Sequence, residues 1–237
     1  MASEPGGGED QGPGRGAALD RSSKNRLTDR MLPRFPGATL FDRIARAVCR
    51  AGCLPRKELY EAWEVARRVR RRFRGGRVVD LASGHGLLAH LLLLLDDSSR
   101  EAIAVDRRIP ASASRLAACL RETWPRLEGR VRRVQVEVQE FALDRDDLVV
   151  SVHACGGLTD RILQRAVSVG ARVAVLPCCH DLRQHDDGGL GGWLDGALAQ
   201  DVARATRLRQ AGYDVYTGRI PRDITAKNRL LLGQPRR

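Results

Sequence analysis

No apolar stretch in these 237 residues is longer than the five leucines Leu91–Leu95, far below the ~20 that a membrane-spanning helix needs. The first residues show no charged-then-apolar leader pattern, so the expectation is a soluble, cytoplasmic protein that touches no membrane. No C-x-x-C pair occurs, and the six cysteines at 49, 53, 119, 155, 178 and 179 are too sparse for a disulfide framework. Reduced thiols are expected, and a zinc module is not. Lysine is scarce as well: Lys24, Lys57 and Lys227 are three of 41 basic residues. The formal charge of +12 is therefore an arginine charge. It points towards a polyanion such as nucleic acid, but an Arg-, Ala-, Gly- and Leu-rich chain acquires such a charge without any partner. Clustering of the arginines is therefore more informative than their total.

Composition and periodicity divide the chain into three parts, without internal repeats. Residues 1–25, rich in Gly, Pro and charge, read as a disordered tail. Residues 26–75 read as a helical N-terminal extension. Within it a basic, proline-containing arm leads to a helix capped by Thr39, with Leu40, Ile44, Ala47 and Val48 on one face. A second helix, about 56–73, carries Leu59, Trp63, Ala66, Val69 and Phe73 at helical spacing. Its glutamates come early and its arginines late, as the helix dipole favours. The arginines Arg67, Arg68, Arg70, Arg71, Arg72 and Arg74 are either a solvated helix end or a contact surface for an RNA backbone. Residues 76–237 alternate strands and helices and end in an antiparallel hairpin, 213–218 with 229–233. The expected class is α/β, a mixed, mostly parallel sheet flanked by helices.

The chemistry centres on residues 77–95. A β-branched strand stops at Asp80, a turn Ser83-Gly84-His85-Gly86 follows, and a leucine-rich helix begins. Strand, glycine turn and helix form the unit by which Rossmann-like folds bring backbone N–H groups against a nucleotide. Asp80 bears on which nucleotide. A pyrophosphate at this turn would meet a carboxylate of like charge, whereas the ammonium and sulfonium of S-adenosylmethionine would be attracted to it. A second strand, 101–106, ends in Asp106, twenty residues after Gly86, where a ribose-binding acid is expected. The cofactor set is thus Asp80, Ser83, Gly84, Gly86 and Asp106, with Gln139 or Glu140 after the third strand towards the adenine.

Two later strands end in His/Cys clusters, His153-Ala154-Cys155 and Cys178-Cys179-His180. Ligands of doubly wound sheets collect outside the carboxyl ends of the strands, so these residues are the expected floor of the active site. Adjacent Cys178 and Cys179 suit one tetrahedral metal poorly, and no metal is expected. Either histidine could accept a proton from a hydroxyl or an amine. The cysteines could equally line a tight turn.

The D-x-x-S-G-x-G turn with a strand-terminal acid resembles motifs I and II of the class I S-adenosylmethionine-dependent methyltransferases. The pairing of His153-Ala-Cys-Gly-Gly-Leu-Thr-Asp with Pro177-Cys-Cys-His resembles one group within them. That group holds the tRNA acceptor-stem 2′-O-methyltransferases and the methyltransferase domain of the glutathione S-transferase C-terminal-domain-containing protein. Thr225-Ala-Lys-Asn looks like a segment near the latter's end, and Asp181 stands where the tRNA enzymes have a further histidine. The resemblance spans about residues 40–233. It implies a Rossmann-like fold, S-adenosylmethionine as cofactor and methyl transfer to RNA, tRNA foremost. The other readings are a non-catalytic RNA-binding protein on the same fold and a nicotinamide-dependent oxidoreductase. Asp80 and the lack of a hydride-transfer Tyr–Lys pair argue against the last.

Overall fold

Among the described residues, seven strands in the order β3-β2-β1-β4-β5-β7-β6 make one sheet. They are β1 Val78–Leu81, β2 Ala102–Asp106, β3 Val131–Gln135, β4 Leu148–Ser151, β5 Arg172–Val175, β6 Tyr213–Arg219 and β7 Arg229–Pro235. The first five are mutually parallel, and β7 runs antiparallel between β5 and β6. The helices are α1 Leu40–Ala51, α2 Arg56–Arg72, α3 Leu87–Leu95, α4 Ala113–Thr123, α5 Gly157–Val169 and α6 Gly196–Gln210. The computed structural model describes residues 19–177, 180 and 186–236. Among these, no helix is long and apolar enough to cross a membrane.

The period-2 alternation of each strand sorts its side chains to opposite faces. Val78, Ala102, Ala104, Leu148 and Val150 point to the face covered by α1 to α4. Val79, Leu81, Ile103, Val105 and Val149 point to the face covered by α5 and α6. The central strands are buried on both sides, as continuous apolar runs predict for parallel strands. Each fully buried Val, Leu or Ile contributes roughly 1.5–3 kcal/mol.

The N-terminal extension packs into the first of these cores, with Leu27, Ile44, Val48, Leu59 and Phe73 almost fully buried. Thr39 caps α1 as expected, accepting the Asp42 N–H at 3.1 Å. Gly52, left-handed at φ +61°, ends it. The basic arm is a latch: the Leu27 N–H donates to the Leu54 carbonyl at 2.9 Å. Residues 19–25, which composition assigns to the tail, are partly engaged. The Ser23 and Asn25 carbonyls accept the Lys57 and Arg56 N–H groups, each at 3.0 Å, first-turn donors that α2 cannot satisfy internally.

The arginine cluster at the end of α2 divides into two kinds. Arg70, 4% exposed, donates to the Leu92 carbonyl at 3.0 Å and to Ser99 Oγ at 2.9 Å, and lies 3.2 Å from Asp96. It ties α2 to the far end of α3 and is unavailable to RNA, contrary to the expectation for the cluster. Arg68 is spent on Glu64 and the Arg219 carbonyl, and Arg67 lies 3.4 Å from Glu64. Arg71 and Arg72 are exposed, Arg72 lying 3.5 Å over the Tyr216 ring. Arg74 is exposed with one contact to Asp96.

Removing one partner of a buried pair strands the other charge, whereas an exposed pair is worth little. Arg70→Met should lower unfolding free energy by about 3 kcal/mol and Arg74→Ala by under about 1 kcal/mol in urea titrations. Equal losses would show that Arg70 is not the clamp.

Candidate active site

Strand β1 lies between β2 and β4, so its carboxyl end opens at the middle of the sheet's edge. The chain turns there through Ala82, a non-glycine residue held left-handed at φ +56°, and strain of this kind concentrates at functional sites. Gly84 and Gly86 are also left-handed. A Cβ on Gly86 would come within 3.0 Å of Ala104, while Gly84 faces open space. Buried His90 fastens the turn from the next helical level, its Nδ1–H donating to the Gly86 carbonyl at 2.7 Å. Burial drives its pKa down to about 4 and keeps the ring neutral.

Asp80, 2% exposed, receives one hydrogen bond, a long one of 3.3 Å from the Ala89 N–H. Desolvation outweighs that bond and, with the nearby Asp106 charge, pushes the carboxyl up to about 8. Asp106 accepts the Gly84 N–H at 2.8 Å and the Arg108 N–H at 3.0 Å. Each of its oxygens keeps a further lone-pair site. Ser83 Oγ is buried and has no hydrogen-bond partner among the described residues. An orphaned hydroxyl, an under-satisfied carboxylate and a strained turn fit a ligand that brings donors and positive charge.

A cavity of about 530 Å3 opens over this turn, within the range of small-molecule sites. Ser83, Gly84 and Asp106 line it, and so do Glu58, Glu137, His153 and Cys155. Gln139 and Glu140 do not: both side chains are exposed, and Glu137 with buried Val138 forms the wall beyond β3. The chain bends straight after the short β3, so the wall falls two residues earlier than expected.

His153 and His180, the described histidines of the two clusters, do not share a wall. His153 and Cys155 lie at the mouth of β4 and face the cavity. Desolvation, then the Lys57 charge, lowers the His153 pKa and leaves the ring neutral. His180 is instead 2.9 Å from Asp201, its side chain 5% exposed. Asp201 also receives Arg229 at 2.6 Å and Arg204 at 3.1 Å. Burial opposes ionisation of Asp201, and the bonds from His180 and Arg229 more than offset it. His180 thus closes an ion-paired network between α6 and β7 rather than lining the described cavity wall. Cys178 and Cys179 lie outside the described residues.

Sequence reasoning missed Glu58, Ala82, Glu137 and Val138. Glu58 looked like a dipole-favoured charge in the first turn of a helix, and nothing local shows that this helix borders the site.

A family model described as a methyltransferase domain matches residues 57–185. No curated protein matches the chain. Among solved structures it is similar to the S-adenosylmethionine-dependent methyltransferase SibL in its apo form: 21% identity, 90% of this chain and 66% of that one, TM-score 0.52. It is also similar to an O-methyltransferase family protein from Burkholderia thailandensis, at 18% identity, 88% and 63% coverage and a TM-score of 0.50. A third is a putative O-methyltransferase from Nostoc punctiforme, at 16%, 81% and 60%, with a TM-score of 0.50. The chain spans less than two thirds of each, and at these identities the likeness establishes the fold.

The raised Asp80 pKa gives a pH test. A carboxyl that titrates near 8 when folded and near 3.8 when unfolded binds more protons in the folded state between those values, so stability falls as pH rises through the window. Relative to Asp80→Asn, the ligand-free wild type should lose stability from about pH 4 to about pH 8 in urea midpoints. Parallel curves would place Asp80 in an ordinary environment.

Proposed function

The chain belongs to the methyltransferase-domain family matched over residues 57–185, and from that premise we propose that it is an S-adenosylmethionine-dependent methyltransferase acting on RNA. The observation that carries the reading is the cavity of about 530 Å3 over a strained glycine turn, bordered by Asp106 and the orphaned Ser83 hydroxyl. Asp106, held by two backbone N–H groups, has lone pairs left for ribose hydroxyls. Asp80 supplies negative charge beneath the turn. The bound cofactor supplies an electrophilic methyl group on a sulfonium. His153, kept neutral at the cavity wall, is placed to take the proton of an attacking hydroxyl or amine. Positioning and exclusion of water supply most of what such a transfer needs.

RNA as acceptor is supported by the surface. Arg71 and Arg72 are exposed at the end of α2, and Arg107 and Arg161 stand at the cavity wall. Arg72 stacked on Tyr216 offers a planar cation with an aromatic neighbour, a combination suited to phosphate and base.

The test is transfer of radiolabelled methyl from S-adenosylmethionine to total cellular RNA, with protein and small-metabolite pools alongside. Label should enter RNA, tRNA foremost, and be lost with Asp106→Ala. Neutralising Arg71 and Arg72 together should raise the RNA KM and reduce the salt slope by about two. Label confined to the other pools would overturn the RNA assignment.

A further inference from the structure

A second, smaller space lies beneath the glycine turn. It measures about 30 Å3 and is lined by Glu58, Asp80, Ser83 and His153 among Leu54, Ala62, Leu88 and other apolar side chains. There is room for one small polar group. Two carboxylates and the Ser83 hydroxyl face this one small space, and among the described residues that line it there is no lysine or arginine. Lys57, next to Glu58 in sequence, lies 3.4 Å from Glu61. Among the described residues nothing hydrogen-bonds or ion-pairs with Glu58. Its carboxyl is raised by burial and then by the Glu61 charge.

We propose that Glu58 is a binding residue for the amino-acid end of the cofactor: with Asp80 it brackets a primary ammonium, and Ser83 Oγ accepts a further N–H. The assignment rests on the cofactor reading above. An ammonium carries three donors and no acceptor, the complement of two carboxylates and a hydroxyl. The small volume admits the ammonium and excludes the nucleoside, which has the 530 Å3 cavity. Glu58 belongs to α2, outside the strand-turn-helix unit. Its presentation depends on the latch, since the Ser23 and Asn25 carbonyls hold the first turn of α2 through the Lys57 and Arg56 N–H groups. Glu61 receives the Thr225 hydroxyl as well as Lys57, which fixes the neighbouring turn of the helix against the loop between β6 and β7. The N-terminal extension thus supplies a specificity determinant that selects an amino-acid-bearing nucleoside over a bare one.

The test is calorimetric titration with two probes, S-adenosylhomocysteine, which carries the ammonium, and 5′-methylthioadenosine, which lacks the amino-acid end. Glu58→Gln should weaken S-adenosylhomocysteine by about tenfold, the loss of a charge-assisted bond, and leave methylthioadenosine unchanged. Glu58→Asp, which keeps the charge one methylene back, should fall between wild type and the Gln variant. Unchanged affinity for both probes, or an equal loss for both, overturns the assignment while leaving the cofactor reading standing. Binding of neither probe by the wild type overturns the cofactor reading and this assignment with it.

Discussion

A carboxylate buried at the end of the central strand is the constraint on which the rest of the site depends. Asp80 has lost its water and gained one long N–H bond in return, a poor exchange for a charged group. The fold tolerates it because everything around it is over-determined. β1 is paired on both sides, Gly86 has no room for a side chain, and the neutral His90 holds the turn from above. A turn so fixed cannot relax to hydrate its acid. Such an acid either takes up a proton or meets a cation.

Arginine plays two roles that net charge cannot separate. Arg70 and Arg204 are buried clamps, 4% and 1% exposed. Arg77 grips Asp147 through two bonds of 2.8 Å across the bases of β1 and β4. Guanidinium suits this work because its planar fork satisfies a carboxylate and a carbonyl at once. Part of the +12 charge is therefore internal mortar, and what is left for a polyanion is smaller and more local than the total suggests. The exposed remainder near α2 and at the cavity wall is what an RNA would meet.

The elements were largely legible because the parallel strands are continuous apolar runs and the turns carry glycine. The positions of the strand-end acids were legible because Asp80 and Asp106 stand where an apolar strand gives way to a turn, at the carboxyl ends of β1 and β2. Two things were not. The wall beyond β3 falls at Glu137 and Val138 rather than Gln139 and Glu140, because a strand's end is set by its neighbour's pairing and β2 stops at Asp106 opposite Gln135. His180 resembled His153 by motif, yet it is drawn to Asp201 on α6, a partner 21 residues away that becomes visible only once the helix is packed.

Glu58 shows the same limit in a more consequential form. In sequence it belongs to an amphipathic helix with a sensible dipole and an obvious apolar face, and every local rule is satisfied without a function. What gives it one is the sheet's topology. The edge at which β1 and β4 end is the edge where α2 begins, so a first-turn residue of the extension comes level with residues 22 and more positions later. The latch that caps α2 is thereby part of the site's wall, since it holds the helix turn from which Glu58 projects. Residues 19–73 share a core with the sheet, and through Glu58 they also line the space at its edge. The described space beneath the turn is lined both by chain that precedes the glycine turn and by the turn itself.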